Sequence, residues 1–230
     1  MEIIEALRNR RSIRSFKPDP VPRKVLEELL DVCRWSPSGS NMQTWEFAIL
    51  GGKVLEEVKA RLARELETGW DSTHLRQLNT NPDVPEPVWP EVYMKRRLAL
   101  RERIDSHQFP LGTTGLSEKR TAYHLYGGRF YGAPNAIVLY TERSICPKAL
   151  LDTGLMAQTI ALAALSYGLG TCLMSMPTYW PDILRELLGI PKSKLIAMSI
   201  AIGYPDTGAL VNSFERSREP LAAFAHWHGV

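Results

Sequence analysis

Cysteine is scarce in this chain: three residues in 230, Cys33, Cys146 and Cys172, with no C-x-x-C and no regular spacing. Such a set leaves no disulfide framework and no thiolate cage for zinc, and it suits a reducing compartment. Five histidines, at 74, 107, 124, 226 and 228, show no ligand spacing with cysteine or carboxylates, so no metal site is expected. Neither a G-x-x-x-x-G-K-S/T phosphate loop nor a G-x-S-x-G nucleophile turn occurs. A strong charge imbalance is missing too: 28 basic against 25 acidic side chains leave +3, too little to imply nucleic-acid binding by itself. The longest mainly apolar stretch, Leu155 to Leu165, is interrupted by Gln158 and Thr159 and is too short to span a bilayer. The opening Met-Glu-Ile-Ile-Glu has neither the basic nor the apolar region of a signal peptide. A soluble, cytoplasmic protein is expected, with no membrane and no nucleic-acid partner.

No repeat or low-complexity linker divides the chain, so residues 1–230 are read as one domain with its own core. Apolar residues at 25, 26, 29, 30 and 33 predict a helix over Pro22 to Cys33, with proline near the first turn, where its missing N–H costs nothing. Trp45 to Leu50 is strand-like and stops at Gly51-Gly52; Lys53 to Leu66 returns to helical period. Between Gly69 and Pro90, two asparagines and four prolines (82, 85, 87 and 90) make a long loop, followed by a charged helix over Glu91 to Ser106. Trp70, Trp89, Tyr93 and Phe109 in or near that loop serve packing, or a lid over an aromatic ligand. Strands are predicted at Asn135 to Thr141, Leu169 to Met176 and Leu195 to Ile202, and helices at Lys148 to Tyr167 and Asp182 to Leu188. The helix at 148–167 is apolar nearly all round and is expected to be buried on every side, in the core or at a subunit interface. Four strands among six or more helices suit a mixed α/β layer, not a barrel.

Against this background the stretch Arg10-Arg11-Ser12-Ile13-Arg14 stands out. Guanidiniums are planar donor forks suited to phosphate, and three of them around a hydroxyl make either an anion site or a solvated basic turn. A second such group, Arg216-Ser217-Arg218, reads as surface when taken alone, but the two would complete each other if they converge. Pro37-Ser38-Gly39-Ser40-Asn41, with Gln43, ends the second helix; it is a helix-terminating loop with unusual hydrogen-bonding capacity. Gly168-Leu169-Gly170 leaves a helix and enters a strand, the reverse of a Rossmann phosphate loop. The cysteines sit in apolar or helical surroundings and read as packing.

In chain order, Arg-Arg-Ser-Ile-Arg-Ser-Phe (10–16), Pro-Ser-Gly-Ser-Asn-Met-Gln-Thr-Trp (37–45), Gly-Leu-Gly-Thr-Cys (168–172), Ile-Gly-Tyr-Pro (202–205) and Arg-Ser-Arg-Glu-Pro-Leu (216–221) resemble the nitroreductase family of FMN-dependent oxidoreductases. About the first 50 and last 80 residues carry the resemblance; roughly 67–134 matches loosely and is expected to be a variable, lid-like segment. The resemblance implies an α+β fold, a central mainly antiparallel sheet flanked by helices, in an intertwined homodimer with FMN at the interface. It implies that Arg10, Arg11, Ser12 and Arg14 meet the phosphate, ribityl or pyrimidine edge of FMN and that Arg216 and Arg218 complete the set. Pro37, Ser38, Gly39, Ser40, Asn41 and Gln43 would come from the other subunit, and Leu173, Met174 and Ser175 would line the flavin ring. Ser175-Met176 stands where family members often have an acidic residue followed by glycine. The implied activity is ping-pong hydride transfer from NADH or NADPH to nitroaromatics, quinones or related acceptors, with no essential side-chain acid or base, since the flavin carries the chemistry. A reductive dehalogenase or a flavin-cleaving enzyme on the same fold is the alternative, and a non-catalytic nucleotide or nucleic-acid binder a remote one.

Overall fold

A computed structural model describes residues 2–67, 90–108 and 123–230. The sheet has four strands, β1 (Trp45–Gly51), β2 (Asn135–Glu142), β3 (Gly170–Met174) and β4 (Lys194–Gly203), in the order β1-β2-β4-β3. Every pairing is antiparallel, with Trp45 opposite Thr141, Ala136 opposite Ala201 and Cys172 also opposite Ala201. A mixed fold with an antiparallel sheet is thus the observed class. The strands lie within one or two residues of their expected bounds, because each is a short apolar run closed by glycine or a charged residue.

Helices cover both faces of the sheet. On one face α3 (Gly52–Glu67) and α6 (Pro181–Leu188) pack Leu55, Val58, Leu62, Ile183 and Leu184 against Ala136, Val138, Ala201 and Cys172. On the other, α2 (Arg23–Cys33) and α5 (Lys148–Ser166) pack Leu26, Leu29, Met156 and Ile160 against Ile137, Leu139 and Ile200. The period-two alternation of β2 divides its side chains between the two cores, which is why the strand is apolar throughout. Each fully buried leucine or isoleucine contributes about 1.5–3 kcal/mol relative to exposure. Cys33 belongs to the second core, and burial pushes its thiol up to about 12.

Within the chain α5 is covered on one side only. Ala149, Met156, Ile160 and Ala164 face the sheet, but Leu150, Leu151 and Leu155 are 40–73 % exposed within the chain. Composition gave the helix no polar face, yet one sheet covers only one side of a cylinder. By length and composition α5 is also apolar enough to cross a membrane, though one side of it lies in the core.

Two further helices bear on the site. α1 (Ile3–Asn9) buries no residue within the chain. α4 (Glu91–Gln108) is fastened to the C-terminal segment: Arg96 pairs with Glu219 at 3.4 Å, Arg103 Nη1 donates to Glu215 O at 2.9 Å, and the His107 ring lies 5.6 Å from Phe214. The expected loop from Gly69 falls outside the described residues up to its last residue, Pro90, and so do Trp70, Trp89, Phe109 and His74.

Candidate cofactor-binding site

α1 ends at Arg10, whose N–H bonds Ala6 O at 2.8 Å, and the chain then runs along the edge of β3. Ile13 N donates to Thr171 O at 2.9 Å, and Ser12 bridges Thr171. That approach requires glycine in β3: a Cβ on Gly170 would lie 2.5 Å from Ile13 Cγ1 and 2.8 Å from Pro205 Cγ. Alternation then separates the side chains. Arg10, Ser12 and Arg14 all lie beside Cys172, whose thiol burial pushes up against the pull of Arg14 and Arg10. Arg11 turns the other way, its Nη2 donating to Phe214 O at 2.6 Å and its guanidinium 5.5 Å from the Phe214 ring centre.

The two arginine groups meet. Arg216 donates to Arg10 O and, at 2.5 Å, to Arg8 O; Arg218 donates to Ser217 O at 2.8 Å. Burial pushes the pKa of the Arg10 guanidinium below its ordinary value, and the charges of Arg216 and Arg218 push it further down. Arg216 is lowered by burial and by Arg218 in the same way. Among the described residues none of Arg10, Arg11, Arg14, Arg216 and Arg218 forms an ion pair with a carboxylate. Arg14 is only 8 % exposed, yet its Nε, like that of Arg11, is buried without a partner. Gathering guanidiniums and withholding their counter-charge is unfavourable in the free protein and suits a bound anion.

Asn212 fixes the join, a role that no local pattern around Asn212-Ser213 signals. Its Oδ1 accepts from Arg14 N at 2.8 Å, and its Nδ2 donates to Ser15 O and Asp206 O at 2.8 and 2.9 Å. Beside it, Arg10, Arg11, Leu165, Leu169 and Gly170 help to line an open cleft of about 280 Å³.

The Pro37–Gln43 loop is elsewhere. Ser40, Asn41 and Gln43 hold left-handed backbone at φ of 50°, 55° and 49°, a sparsely populated state that costs about 1 kcal/mol or more per residue. Ser38 Oγ accepts from Gln43 N at 2.9 Å, and Gln43 Nε2 donates to Asn41 O at 3.1 Å. Beneath lies Asp152, 5 % exposed, accepting from Gly39 N at 3.0 Å and from Thr44 Oγ1 at 3.2 Å. Sequence reading passed over this residue, although an acid in so apolar a helix is itself a signal. Asp152 and Leu165 are thirteen residues apart on α5, so the loop and the arginine cleft stand about 20 Å from each other in one chain.

At the end of β3, Leu173 is half-buried, Met174 is packed into the core beside Cys172, and Ser175 is exposed and starts a short turn, its O accepting from Thr178 N at 2.9 Å. Phe130 and Tyr131 carry left-handed backbone (φ 53° and 55°) and project into the same core. The Tyr131 hydroxyl donates to that of Tyr123 at 3.2 Å. These aromatics lie in the loosely matching segment and were not foreseen.

The model of the nitroreductase family matches residues 7–204, and the chain belongs to that family. It is 30% identical to a 4-nitrobenzoate reductase of Nocardioides sp. (strain LMS-CY) over 96% of this chain and 88% of that one. The FMN-dependent nitroreductase NfnB from Mycobacterium smegmatis, solved in complex with NADPH, superposes with a TM-score of 0.81 at 25% identity over 99% and 100% of the two chains. As a likeness of fold, the FMN and NADPH-dependent nitroreductase NfnB from sphigopyxis sp. strain HMH gives 0.86 at 24% identity, over the whole of both chains.

Proposed function

We propose that this protein is an FMN-dependent oxidoreductase that uses NADH or NADPH to reduce nitroaromatics, quinones or related acceptors, and that it works as a homodimer. The observation that carries the reading is the acid-free group of guanidiniums at Arg10, Arg14, Arg216 and Arg218, with the buried, unpartnered Nε of Arg14 at its inner end. FMN fits this donor set, being an elongated anion with a phosphate at one end and a ring that gains negative charge on reduction at the other. Arg10 and Arg14 are separated by four residues of extended backbone, about 13 Å, so they suit the two ends of one ligand better than a single phosphate. Arg10, Arg216 and Arg218 would hold the phosphate, with Arg218 foremost; Ser12 would serve the ribityl chain, and Arg14 the pyrimidine edge. Leu173, Met174 and Ser175 would border the ring. Bound FMN would supply the redox chemistry, taking hydride from the nicotinamide and passing it to the acceptor.

Pro37, Ser38, Gly39, Ser40, Asn41 and Gln43 belong to the same site only if they reach it from a second chain, given the length of α5 between them and the arginines. The exposed leucines of α5, and α1 with no residue buried within the chain, favour such a partner. Residues 67–134 are read as a variable segment of one domain, and the unpaired thiols, of which Cys33 and Cys172 are buried, suit the cytoplasm.

Purified protein is expected to carry or take up FMN. Anaerobic NADPH or NADH should bleach its visible band, and a nitrobenzoate or benzoquinone should restore it. A colourless protein that takes up no FMN and binds nucleic acid with steep salt dependence would replace this reading with the nucleic-acid binder.

A further inference from the structure

We infer that Asp152 is a positioning residue for the cofactor loop: its buried carboxylate clasps both ends of the left-handed turn at Ser40–Gln43 and holds that turn ready for FMN. This rests on the reading of Pro37–Gln43 as the half of the site that reaches the flavin from a second chain.

The turn needs a restraint from outside. Ser40, Asn41 and Gln43 carry positive φ without being glycine, and such residues persist only where their surroundings over-determine them. Within the loop the ties are short-range: Asn41 N donates to Ser38 O at 3.0 Å, and Met42 N to Gly39 O at 3.1 Å. Asp152 supplies the outside tie. Its Oδ1 accepts from Gly39 N at 3.0 Å and its Oδ2 from Thr44 Oγ1 at 3.2 Å, so one planar carboxylate fixes the spacing of the residues that flank the strained turn. Thr44 is locked in its own place, its O accepting from Thr141 Oγ1 at 2.7 Å. Seven residues further along α5, two turns of helix, Thr159 Oγ1 donates to Ser36 Oγ at 3.1 Å. One face of α5 thus carries the loop from its start to its end.

A carboxylate suits this post because it accepts with two oxygens, and an N–H and a hydroxyl both point at it. It is 5 % exposed and forms no ion pair among the described residues. Burying an acid with no cation beside it is unfavourable, and the packing of α5 alone gives no reason for one among its leucines and alanines. The loop gives that reason. Ser40, Asn41 and Gln43 are exposed in the single chain, which leaves their polar groups to a ligand. A loop held in its binding conformation in advance loses less affinity to ordering. Asp152 therefore acts on FMN through the backbone of the turn.

The test is the FMN affinity of the full chain, read by fluorescence titration of four variants. Asp152→Ala releases both ends of the turn; with the competent loop populated about a tenth of the time, affinity falls about tenfold. Asp152→Asn keeps an acceptor for Gly39 N and offers a donor that Thr44 Oγ1 can accept, so it should stay within about threefold of the unaltered protein. Thr44→Val frees one end only and should move the affinity the same way by less. It keeps the test open if Asp152→Ala folds poorly. Thr153→Val removes a buried hydrogen bond to Ala149 O from the same turn of α5 without reaching the loop, and its FMN affinity should equal that of the unaltered protein. Unchanged affinity in both Asp152→Ala and Thr44→Val would overturn the inference alone. Equal losses in Asp152→Ala, Asp152→Asn and Thr153→Val would do the same, by making Asp152 a structural residue of α5. Failure of the unaltered protein to bind FMN would overturn the proposed function and this inference with it.

Discussion

Arg14→Met is expected to stabilise the cofactor-free protein and to weaken its hold on FMN by about 10- to 100-fold, the loss of one hydrogen bond to a charged group at about 1.5–3 kcal/mol. Opposite signs follow from the surroundings of the guanidinium. It is 92 % buried, has an unpartnered Nε and makes no ion pair among the described residues. A charge desolvated with no carboxylate partner and only a long hydrogen bond to Ser12 O weighs against the folded state, and replacing a buried charged group with an apolar chain of similar volume is often neutral or stabilising by about 1–4 kcal/mol. At about 2–4 °C per kcal/mol for a domain of this size, the melting temperature of the apoprotein should hold or rise by several degrees. Calorimetry of the apoprotein and fluorescence titration with FMN read the two effects separately. A drop in apoprotein stability with unchanged FMN affinity would make Arg14 a structural residue.

Gly170→Ala should be the most damaging small substitution in the sheet. The added methyl would meet Ile13 Cγ1 at 2.5 Å and Pro205 Cγ at 2.8 Å, a branched side chain and a ring with little room to yield. Overpacking of this kind costs about 1–3 kcal/mol. Thermal denaturation should show it as a fall of about 2–12 °C. The displacement acts on the segment that carries Ser12 and Arg14, so FMN affinity should fall with stability. Ile13→Ala in the same chain removes the closest atom, and the double variant should lose less than the sum of the singles. Strict additivity would place the cause of the damage elsewhere.

What the sequence disclosed and what it hid divide by range. The strand at Trp45–Gly51 and the helix at Arg23–Cys33 were legible because period and stop signals lie within the element. The left-handed turn at Ser40–Gln43 was legible as a turn from its serines, glycine and asparagine, though its strain was not. The meeting of Arg10 with Arg216, more than 200 residues apart, depends on the pairing of residues 12–17 with β3 and the chain beyond β4. No local pattern encodes that pairing, although two clusters of one chemistry hinted at it. Asn212 was hidden for the same reason: it is defined by what it holds, Arg14 N and Ser15 O, and these lie nearly 200 residues away in the chain. The one-sided burial of α5 was hidden because composition records how apolar a helix is, not how many layers cover it.

The length of α5 has a genetic consequence. With the arginine cleft near one end and the Pro37–Gln43 loop near the other, a site made from two chains can be restored by two broken genes. Arg218→Ala and Asn41→Ala chains, produced separately, should each retain little FMN. Co-expressed and paired at random, about half of the dimers are mixed, and each mixed dimer joins one intact cleft to one intact loop, so about a quarter of all sites should regain flavin. Flavin content per chain in the co-expressed protein reads this directly; no recovery above the separate variants would put the whole site within one chain.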